Sequence, residues 1–374
     1  MFEQDILQHV KDGNEHSIDG IAAALGCVPF LLQTSIDGLV LSGKLTARDG
    51  QPRMYSSRTV KSRLLELDQT VDDMQAQREP GFIEANGWEY DPFDNPREGE
   101  VTPCASPIRW MGGKSKMLTW LLQRYPEHYA YCEVFGGSCK PLFGKKPSPI
   151  EIVNDKYDSL INFWRICALW PEELCASVNA LPASRLYQRW FQRSYAHRNP
   201  FERAVMFGYL SLHSYNGLVW KPFAGSSHQP PGSLNPAIVK AAAERLRGVV
   251  IESQDFRAFI DRYCMKRPAA GKVFTYMDPP YLKTEGYALK FPDMWHQELA
   301  AKMVEINEAG NLVMMTNSNV AGEAYMDWFG SDKSGFTVEY VDVDYTLGHS
   351  ESRGARKEAV ISNFKLQQKQ GKLF

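Results

Sequence analysis

The stretch that decides the fold is Val273-Phe274-Thr275-Tyr276-Met277-Asp278-Pro279-Pro280-Tyr281. Its first five residues are β-branched, aromatic or apolar, which favours a strand, and they carry no charge, which predicts burial on both faces. Two successive prolines cannot continue such a strand. Asp278 therefore lies just beyond the carboxyl end of a buried strand, which is where open α/β sheets bind their ligands.

Short apolar runs alternate with helical patterns on both sides of this stretch. Strands are predicted at 131–135, 150–153, 249–252, 273–277 and 311–316, and helices near 114–124, 159–168, 202–214, 236–247, 256–262 and 295–309. This alternation predicts an α/β fold with a Rossmann-like, doubly wound parallel sheet. Residues 338–347 and 358–364 form two further strands around a polar loop, which predicts an antiparallel hairpin at one sheet edge.

The first 63 residues predict a separate small domain. Three helical patterns followed by two short strands around Asp49-Gly50 are typical of a winged helix-turn-helix. The segment 28–43 contains no Lys or Arg, so dimerisation and docking of a partner protein stay as open as DNA binding. Residues 64–105 are acidic and contain several prolines, which indicates a linker, and residues 106–374 form the main domain.

Composition excludes several classes of protein. The chain has 374 residues, 44% of them apolar, and a mean hydropathy of −0.37, which predicts a globular protein without a membrane span. Its seven cysteines are scattered and form no C-x-x-C pair, so a disulfide framework or a zinc site is disfavoured. The acidic start predicts no secretion signal, and the cytoplasm fits best.

Charge is distributed unevenly along the chain. Residues 64–100 carry a net charge of −9, while residues 101–374 carry +7. The positive main domain permits a polyanionic partner but does not by itself identify one.

Asp278, Pro279 and Tyr281 together have the chemistry of a clamp for a planar exocyclic amine. The carboxylate and the Pro279 carbonyl, whose direction Pro280 restricts, accept the two N–H groups, and the Tyr281 ring stacks on the base. Such acceptors favour the positive charge that develops on a nitrogen when it attacks an electrophile. The motif therefore indicates a site that activates a weakly nucleophilic amine.

Asp-Pro-Pro-Tyr after a strand resembles the catalytic motif of amino-directed DNA methyltransferases, and other stretches resemble the Dam-type (D12 class) adenine-N6 enzymes. The matching stretches follow in the family's order: Arg109-Trp110-Met111-Gly112-Gly113-Lys114, Glu133-Val134-Phe135-Gly136-Gly137, Asn154-Asp155, Tyr215-Asn216-Gly217, Gln254-Asp255-Phe256, Thr316-Asn317-Ser318-Asn319 and Arg356-Lys357-Glu358. The resemblance spans about residues 106–365. It leaves the N-terminal domain outside.

The resemblance implies an S-adenosylmethionine-dependent enzyme that methylates N6 of an adenine flipped out of double-stranded DNA, without a metal. It implies a bacterial or phage-infected host and a restriction–modification setting. A helical target-recognition region is expected at about 165–248. The implied catalytic residues are Asp278, Pro279, Pro280 and Tyr281. The implied cofactor contacts are Trp110, Lys114, Phe135, Gly137, Asp155, Asp255 and Asp278.

Two of these cofactor contacts have a structural alternative. Asp155 either holds the ribose hydroxyls or caps the following helix, and Asp255 either contacts the cofactor adenine or caps its own helix. On the DNA side, the resemblance implies Tyr215 and Asn216. The cations Arg353, Arg356 and Lys357 belong to a polar hairpin tip beside the predicted site, which suits contact with phosphates.

The sequence departs from the family at Cys139, which stands where the family has its last loop glycine. We expect weakened but retained cofactor binding there. Gly112-Gly113-Lys114-Ser115 is not a phosphate-binding P-loop, because Ile108 occupies the position of the required first glycine. Two other functions stay open: a cytosine-N4 or RNA amino methyltransferase, and a non-catalytic DNA-binding regulator that keeps the methylase fold.

Overall fold

The computed structural model describes residues 91–94, 96–97, 101–110, 114–195, 198–224, 232–282, 291–344 and 355–367. The predicted winged helix, most of the predicted linker and Arg353 lie outside these residues, as do the side chains of Asn216 and Arg356. The larger of two compact units comprises Tyr90–Ala180 and Arg203–Phe374. Of the smaller unit, residues 181–195 and 198–202 are described.

A mixed sheet forms the centre of the larger unit. Its strands are β1 (Ala130–Glu133), β2 (Ile150–Asn154), β3 (Val249–Glu252), β4 (Val273–Met277), β5 (Leu312–Ser318), β6 (Thr337–Asp344) and β7 (Ala355–Ser362). In the described part of the chain their order is β3-β2-β1-β4-β5-β7-β6. Strands β1 to β5 are parallel, and β7 runs antiparallel between β5 and β6. The predicted doubly wound sheet with a C-terminal antiparallel hairpin is confirmed.

Helices alternate with these strands along the chain. In the larger unit they are α1 (Leu118–Leu122), α2 (Lys140–Gly144), α3 (Asp158–Leu169), α4 (Pro171–Asn179), α7 (Pro236–Leu246), α8 (Phe256–Phe259), α9 (Asp293–Glu308) and α10 (Asn319–Phe329). Helix α5 (Arg185–Ser194) belongs to the smaller unit, and α6 (Pro200–His213) contains residues of both. A π-helical turn, Ile260–Cys264, continues α8. Every residue of β1, β2 and β4 is buried, as expected for parallel strands covered on both sides. Between β2 and β3 the regular structure described consists of helices and one 3₁₀ turn, Tyr215–Gly217.

Some elements differ from the sequence-based expectation. The helix predicted near residue 114 begins only at Leu118, because Lys114 belongs to a turn in which its carbonyl accepts from the Met117 N–H at 3.0 Å. Helices α2, α4, α5 and α10 were not predicted. Helix α2 is only five residues long and contains proline, so its sequence carries no helical period to detect.

The C-terminal strand β7 has a particular consequence for the edge where ligands bind. Because β7 is antiparallel to β5, its beginning lies beside the end of β5, and Glu358 pairs in register with Ser318. A residue near the start of β7 is therefore brought to the carboxyl edge of the parallel strands.

A buried charge cluster anchors the segment before the main domain. The Arg97 guanidinium donates to Glu151 Oε2 at 3.2 Å and to the backbone carbonyls of Arg245 and Arg247. Lys145 Nζ and Arg245 also bind the Glu151 carboxylate, and all four side chains of the cluster are buried. This part of the predicted linker is thus attached to β2 and to the end of α7.

In the residues described, no helix is both long enough and apolar enough to cross a membrane. The same residues contain no group of three or more His, Cys, Asp or Glu side chains arranged to hold a metal ion.

Candidate active site

An open cleft with about 1110 Å³ of empty space lies at the carboxyl edge of the sheet, where the strand order reverses between β1 and β4. It lies wholly within the larger unit, at the position where open α/β sheets bind ligands. The cleft brings together, among others, ten predicted site residues: Trp110, Lys114, Phe135, Gly137, Asp155, Asp255, Asp278, Pro279, Pro280 and Tyr281.

Asp278 is the first residue after β4. Its Oδ1 accepts hydrogen bonds from Lys114 Nζ at 2.7 Å and Thr316 Oγ1 at 3.0 Å, and its Oδ2 accepts one from Lys114 Nζ at 2.8 Å. A carboxylate oxygen has two lone pairs, so among the described contacts Oδ1 is filled and Oδ2 keeps one lone pair for a further donor. Burial raises the pKa of Asp278, and the neighbouring Lys114 ammonium opposes that rise.

Lys114 also connects Asp278 to Tyr281. Its Nζ donates to the Tyr281 hydroxyl at 2.7 Å, and the same hydroxyl donates to Glu358 Oε2 at 2.8 Å. Nζ lies 3.9 Å from Glu358 Oε2, so one buried ammonium faces two carboxylates. The resemblance implies that Lys114 contacts the cofactor, whereas in the structure its ammonium group binds the clamp itself.

Side chains of β5, the strand beside β4, support the motif. The Thr316 hydroxyl, which binds Asp278, also lies 2.9 Å from the Tyr276 hydroxyl. Asn317 Oδ1 accepts from the Leu282 N–H at 3.1 Å, which ties the residue after Tyr281 to the end of β5. The clamp is therefore fixed by the strand on which it stands and by the neighbouring strand.

The loop after β1 faces the clamp across the cleft. Gly137 adopts φ +50°, and a Cβ there would meet the Trp110 ring at 3.0 Å. The Gly137 carbonyl accepts from Trp164 Nε1 at 3.0 Å. Cys139 also has a left-handed backbone, with φ +50°, which explains why a glycine suits this position. Cysteine is accommodated because its buried Sγ packs inside the loop.

The end of β2 holds this loop in place. Asp155 Oδ2 accepts from the Gly137 N–H at 2.9 Å, and Oδ1 accepts from the Tyr157 N–H at 2.9 Å, just before α3. Asn154 binds the Val134 carbonyl and both the N–H and carbonyl of Gln254. Asp155 therefore supports the start of α3 while also lining the cleft. Burial raises its pKa, and the two backbone N–H donors oppose that rise.

Comparison with known proteins agrees with this geometry. The model of the D12 class N6 adenine-specific DNA methyltransferase family matches residues 110–346. The chain belongs to this family. A DNA adenine methylase of Serratia marcescens is 26% identical over 187 residues, which cover 46% of this chain and 66% of the relative. Modification methylase StsI of Streptococcus sanguinis is 22% identical, with 96% of this chain and 57% of the relative covered. The chain thus spans less than two thirds of these two relatives.

Two further matches are of similar or lower identity. A retron Ec67 DNA adenine methylase of Escherichia coli is 25% identical over 268 residues, with 68% of this chain and 90% of the relative covered. Among solved structures, a LepI complex with SAM aligns over 97% of this chain and 85% of that chain at 12% identity, with a TM-score of 0.22.

The cleft fits the S-adenosylmethionine that D12 methyltransferases use as methyl donor. Gly137 is required where the loop after β1 approaches the Trp110 ring. The Asp155 carboxylate lines the same part of the cleft. Another part of the lining is aromatic and consists of Phe135, Phe256, Phe291 and Trp295, whose contacting rings have centroids 5.5 to 6.4 Å apart. Polar groups near the glycine loop and an apolar slot beyond it suit a ligand with both ionic and planar aromatic parts.

Asp255 has the capping role that the sequence left open. Its side chain accepts from the Arg257 N–H at 3.0 Å at the start of α8 and pairs with the Arg257 guanidinium. It also lines the cleft beside Phe256, so its position remains compatible with a cofactor contact.

Glu133, at the end of β1, is buried in the wall of the same cleft. Its Oε2 accepts from the Tyr131 hydroxyl at 2.9 Å and from the Leu142 N–H at 3.1 Å. Burial raises the pKa of Glu133 to about 8 despite these donors. At neutral pH the group is largely protonated and adds little negative charge to the cleft.

Among the DNA-side residues, Tyr215 lies in the 3₁₀ turn after α6 and is 61% exposed. Gly217 in the same turn has φ +73°, and a Cβ there would meet the Arg109 carbonyl at 2.6 Å. This turn therefore packs against the residue before Trp110. Lys357 is exposed near the start of β7.

Sequence reasoning missed the roles of three side chains in the site. Glu358 and Thr316 contact the clamp. Asn154, the last residue of β2, binds the segments that follow β1 and β3. All three belong to stretches that matched the family in order, so the signal existed. Their partners, however, are distant in sequence and became known only from the fold.

Proposed function

We propose that this protein is a DNA methyltransferase that transfers the methyl group of S-adenosylmethionine to N6 of an adenine flipped out of double-stranded DNA. The observation that carries the proposal is Asp278-Pro279-Pro280-Tyr281 at the end of β4, facing the glycine loop and Asp155 across one cleft. Family membership and relatives named DNA adenine methylases support the same activity.

The clamp recognises the amine through a small number of acceptors. Because the described contacts fill Oδ1 of Asp278, the amine donates one N–H to Oδ2 and the other to the Pro279 carbonyl. As nitrogen attacks, positive charge develops on it, and both acceptors then bind more strongly. The Tyr281 ring replaces part of the stacking that the base loses when it leaves the duplex, a cost of a few kcal/mol.

The cofactor supplies the electrophilic methyl group. Trp110, Phe135, Gly137 and Asp155 hold it on the side of the glycine loop, and Asp255 contributes at the end of β3. Lys114 stands between this wall and the clamp, where it orients Asp278. Most of the rate enhancement then comes from positioning, since no covalent intermediate is required.

DNA contacts are proposed on the surface around the cleft. Tyr215, which is exposed, and Asn216 belong to the 3₁₀ turn Tyr215–Gly217 of the region 165–248, which we propose recognises the target. The expectation that Arg356 and Lys357 belong to a hairpin tip is wrong, because both stand at the start of β7 and pair in register with β6. Together with Arg353, which precedes β7 in the sequence, they suit phosphates of the DNA backbone. Residues 106–374 form the methyltransferase domain in this proposal, with residues 1–63 as a winged-helix domain and 64–105 as a linker.

We further propose a cytoplasmic location and a restriction–modification setting, which the name of the StsI relative supports. The N-terminal domain then has one of three partners: DNA, another protein or a second copy of the chain.

The deciding experiment incubates the full chain with labelled cofactor and either unmethylated DNA or RNA, followed by mass analysis of the nucleosides. N6-methyladenine is the expected product. N4-methylcytosine, label only in RNA, or no transfer would each contradict the proposal in favour of one of the alternatives.

Asp278→Ala tests the clamp in the same assay. We expect methyl transfer to be nearly abolished, while cofactor affinity stays within about tenfold, equivalent to less than ~1.4 kcal/mol. Asp327→Ala, which removes an exposed carboxylate on α10, is the matched control and should transfer methyl groups at the wild-type rate. Turnover by Asp278→Ala at the wild-type rate would reject the clamp assignment.

A further inference from the structure

Glu358 reaches the active site from a part of the chain that follows the motif by 77 residues. It stands in β7, is 2% exposed, and pairs in register with Ser318 of β5 and Val341 of β6. Its position is therefore fixed by backbone hydrogen bonds to strands on both sides. Because the backbone of Glu358 is held in this way, its carboxylate restricts the position of any side chain that binds it.

The side chain that binds it is Tyr281. The Tyr281 hydroxyl donates to Glu358 Oε2 at 2.8 Å and accepts from Lys114 Nζ at 2.7 Å. A tyrosine side chain has two rotatable torsions, and its hydroxyl lies at the far end of the ring. Two short hydrogen bonds at that end, one accepted and one donated, restrict both the direction and the tilt of the ring.

Burial strengthens the hydrogen bond between Tyr281 and Glu358. Glu358 is buried and Tyr281 is half-buried, so water competes less than at the surface and the charge-assisted hydrogen bond is stronger than it is there. Lys114 alone restricts the Tyr281 ring less, because its flexible ammonium group also donates to both carboxylate oxygens of Asp278.

We propose that Glu358 is a positioning residue for methyl transfer: by accepting the Tyr281 hydroxyl, it holds the Tyr281 ring in the plane against which the flipped base stacks. The inference rests on the proposed function, because it gives the ring its task. Since Glu358 belongs to the antiparallel strand β7, this strand then takes part in positioning the base.

The test uses full-length protein with Glu358→Ala, Glu358→Gln, Tyr281→Phe and the double variant Glu358→Ala/Tyr281→Phe. Loss of a hydrogen bond to a charged group typically costs between about 10-fold and 100-fold. We expect Glu358→Ala to lower kcat by that amount, with the KM for S-adenosylmethionine changed less than about threefold. Glu358→Gln keeps an acceptor oxygen and should retain at least about a third of the wild-type kcat.

Two comparisons separate positioning from a general loss of structure. If Glu358 acts through the hydroxyl, the double variant is no more than about threefold slower than Tyr281→Phe alone. The matched control is Glu252→Ala, which removes another glutamate of the same sheet that accepts a tyrosine hydroxyl, here from Tyr263 at 2.7 Å. Its kcat should equal that of the wild type.

A second readout does not depend on methyl transfer. 3-Fluorotyrosine placed at position 281 should give one sharp fluorine resonance in the wild-type background and in Glu358→Gln. Glu358→Ala should broaden or shift that resonance, and Glu252→Ala should leave it unchanged. These spectra report ring order directly.

The outcomes are distinguishable. An unchanged resonance in Glu358→Ala, multiplicative effects in the double variant, or a Gln variant as slow as the Ala variant would each overturn the inference. If the wild-type protein transfers no methyl group to adenine, the proposed function fails. The fluorine resonance alone then decides whether Glu358 holds the ring.

Discussion

Gly137 combines a left-handed backbone with a close contact to Trp110, which also lines the cleft. Its φ of +50° favours glycine, and an added Cβ would press on the Trp110 ring at 3.0 Å. We expect Gly137→Ala to destabilise the fold by about 1 kcal/mol through the left-handed backbone and also to weaken cofactor binding at least tenfold by displacing Trp110. Calorimetric titration with the cofactor and chemical denaturation measure the two effects.

Gly330→Ala is the control for this prediction. Gly330 has nearly the same φ, +57°, but a Cβ there meets nothing within 4 Å. This variant should show the loss of stability without the loss of cofactor affinity. Equal cofactor affinity in both variants would mean that Trp110 adapts without cost.

Glu133 makes the stability of the protein depend on pH. Its pKa is about 8 in the folded protein, because it is buried, against an ordinary value of 4.5 in the unfolded chain. Between these values the folded state holds the proton more tightly, so this contribution to stability is complete below pH 4.5 and is lost as pH rises toward 8.

Glu133→Gln imitates the protonated acid at every pH. Relative to the wild type, its free energy of unfolding should rise with pH through this window, by at most ~1.4 kcal/mol per pH unit. Urea denaturation at pH 5, 6.5 and 8, chosen from this window, measures the trend. Glu339→Gln, at an exposed position on β6, is the control, and a pH-independent difference for Glu133→Gln would contradict the raised pKa.

At the scale of an element, α5 presents a stripe of three exposed arginines. Arg185, Arg189 and Arg193 recur every four residues, so they share one face, and the helix contains no Asp or Glu. Like charges at this spacing repel one another, which a polyanion would relieve. The opposite face, including Tyr187 and Phe191, is buried.

We therefore predict that α5 contacts DNA phosphates. Replacing the three arginines by Gln should weaken binding to all DNA sequences and flatten the dependence of log K on log salt by roughly one to two units. Fluorescence anisotropy at several salt concentrations measures this slope. Gln at three exposed cations outside the region 165–248, namely Arg262, Arg267 and Lys333, is the control. An unchanged slope for the α5 variant would remove this helix from the interface.

At the scale of the whole molecule, Arg97 attaches the segment that precedes residue 106 to the larger unit. Its N–H donates to the Pro149 carbonyl at 2.6 Å, and its guanidinium binds Glu151. A fragment that starts at residue 106 lacks these contacts, whereas one that starts at residue 90 keeps them. Lys145 and Arg245 still neutralise Glu151 in the shorter fragment, so the loss is moderate.

We expect the 90–374 fragment to be more stable than the 106–374 fragment by about 1–3 kcal/mol, the usual cost of losing hydrogen bonds to a buried charged group. Arg97→Ala in the longer fragment should reproduce most of that difference, which isolates the side chain from the rest of the segment. Thermal unfolding of the three proteins measures it. Equal stability of the two fragments would show that the Arg97 anchor contributes nothing.

The sequence by itself determined the features that local physics encodes. The run 273–277 forms β4 with the predicted bounds, because its β-branched and aromatic residues favour a buried strand and Pro279 prevents continuation. The alternation of strands and helices was sufficient for the doubly wound class, and the motif at Asp278 indicated the chemistry that we propose. Short helices such as α2 were not predicted, because a single turn that contains proline has no helical period to detect.

Only the tertiary structure decided which side chains surround that clamp. Lys114 meets Asp278 across 164 residues and Glu358 meets Tyr281 across 77, and neither pairing has a local signature. The second depends on β7 entering the sheet antiparallel between β5 and β6, which turns its first residues toward the carboxyl edge. The order of strands in a sheet is set by packing over the whole molecule, so the composition of the active site follows from the fold and not from any one stretch of sequence.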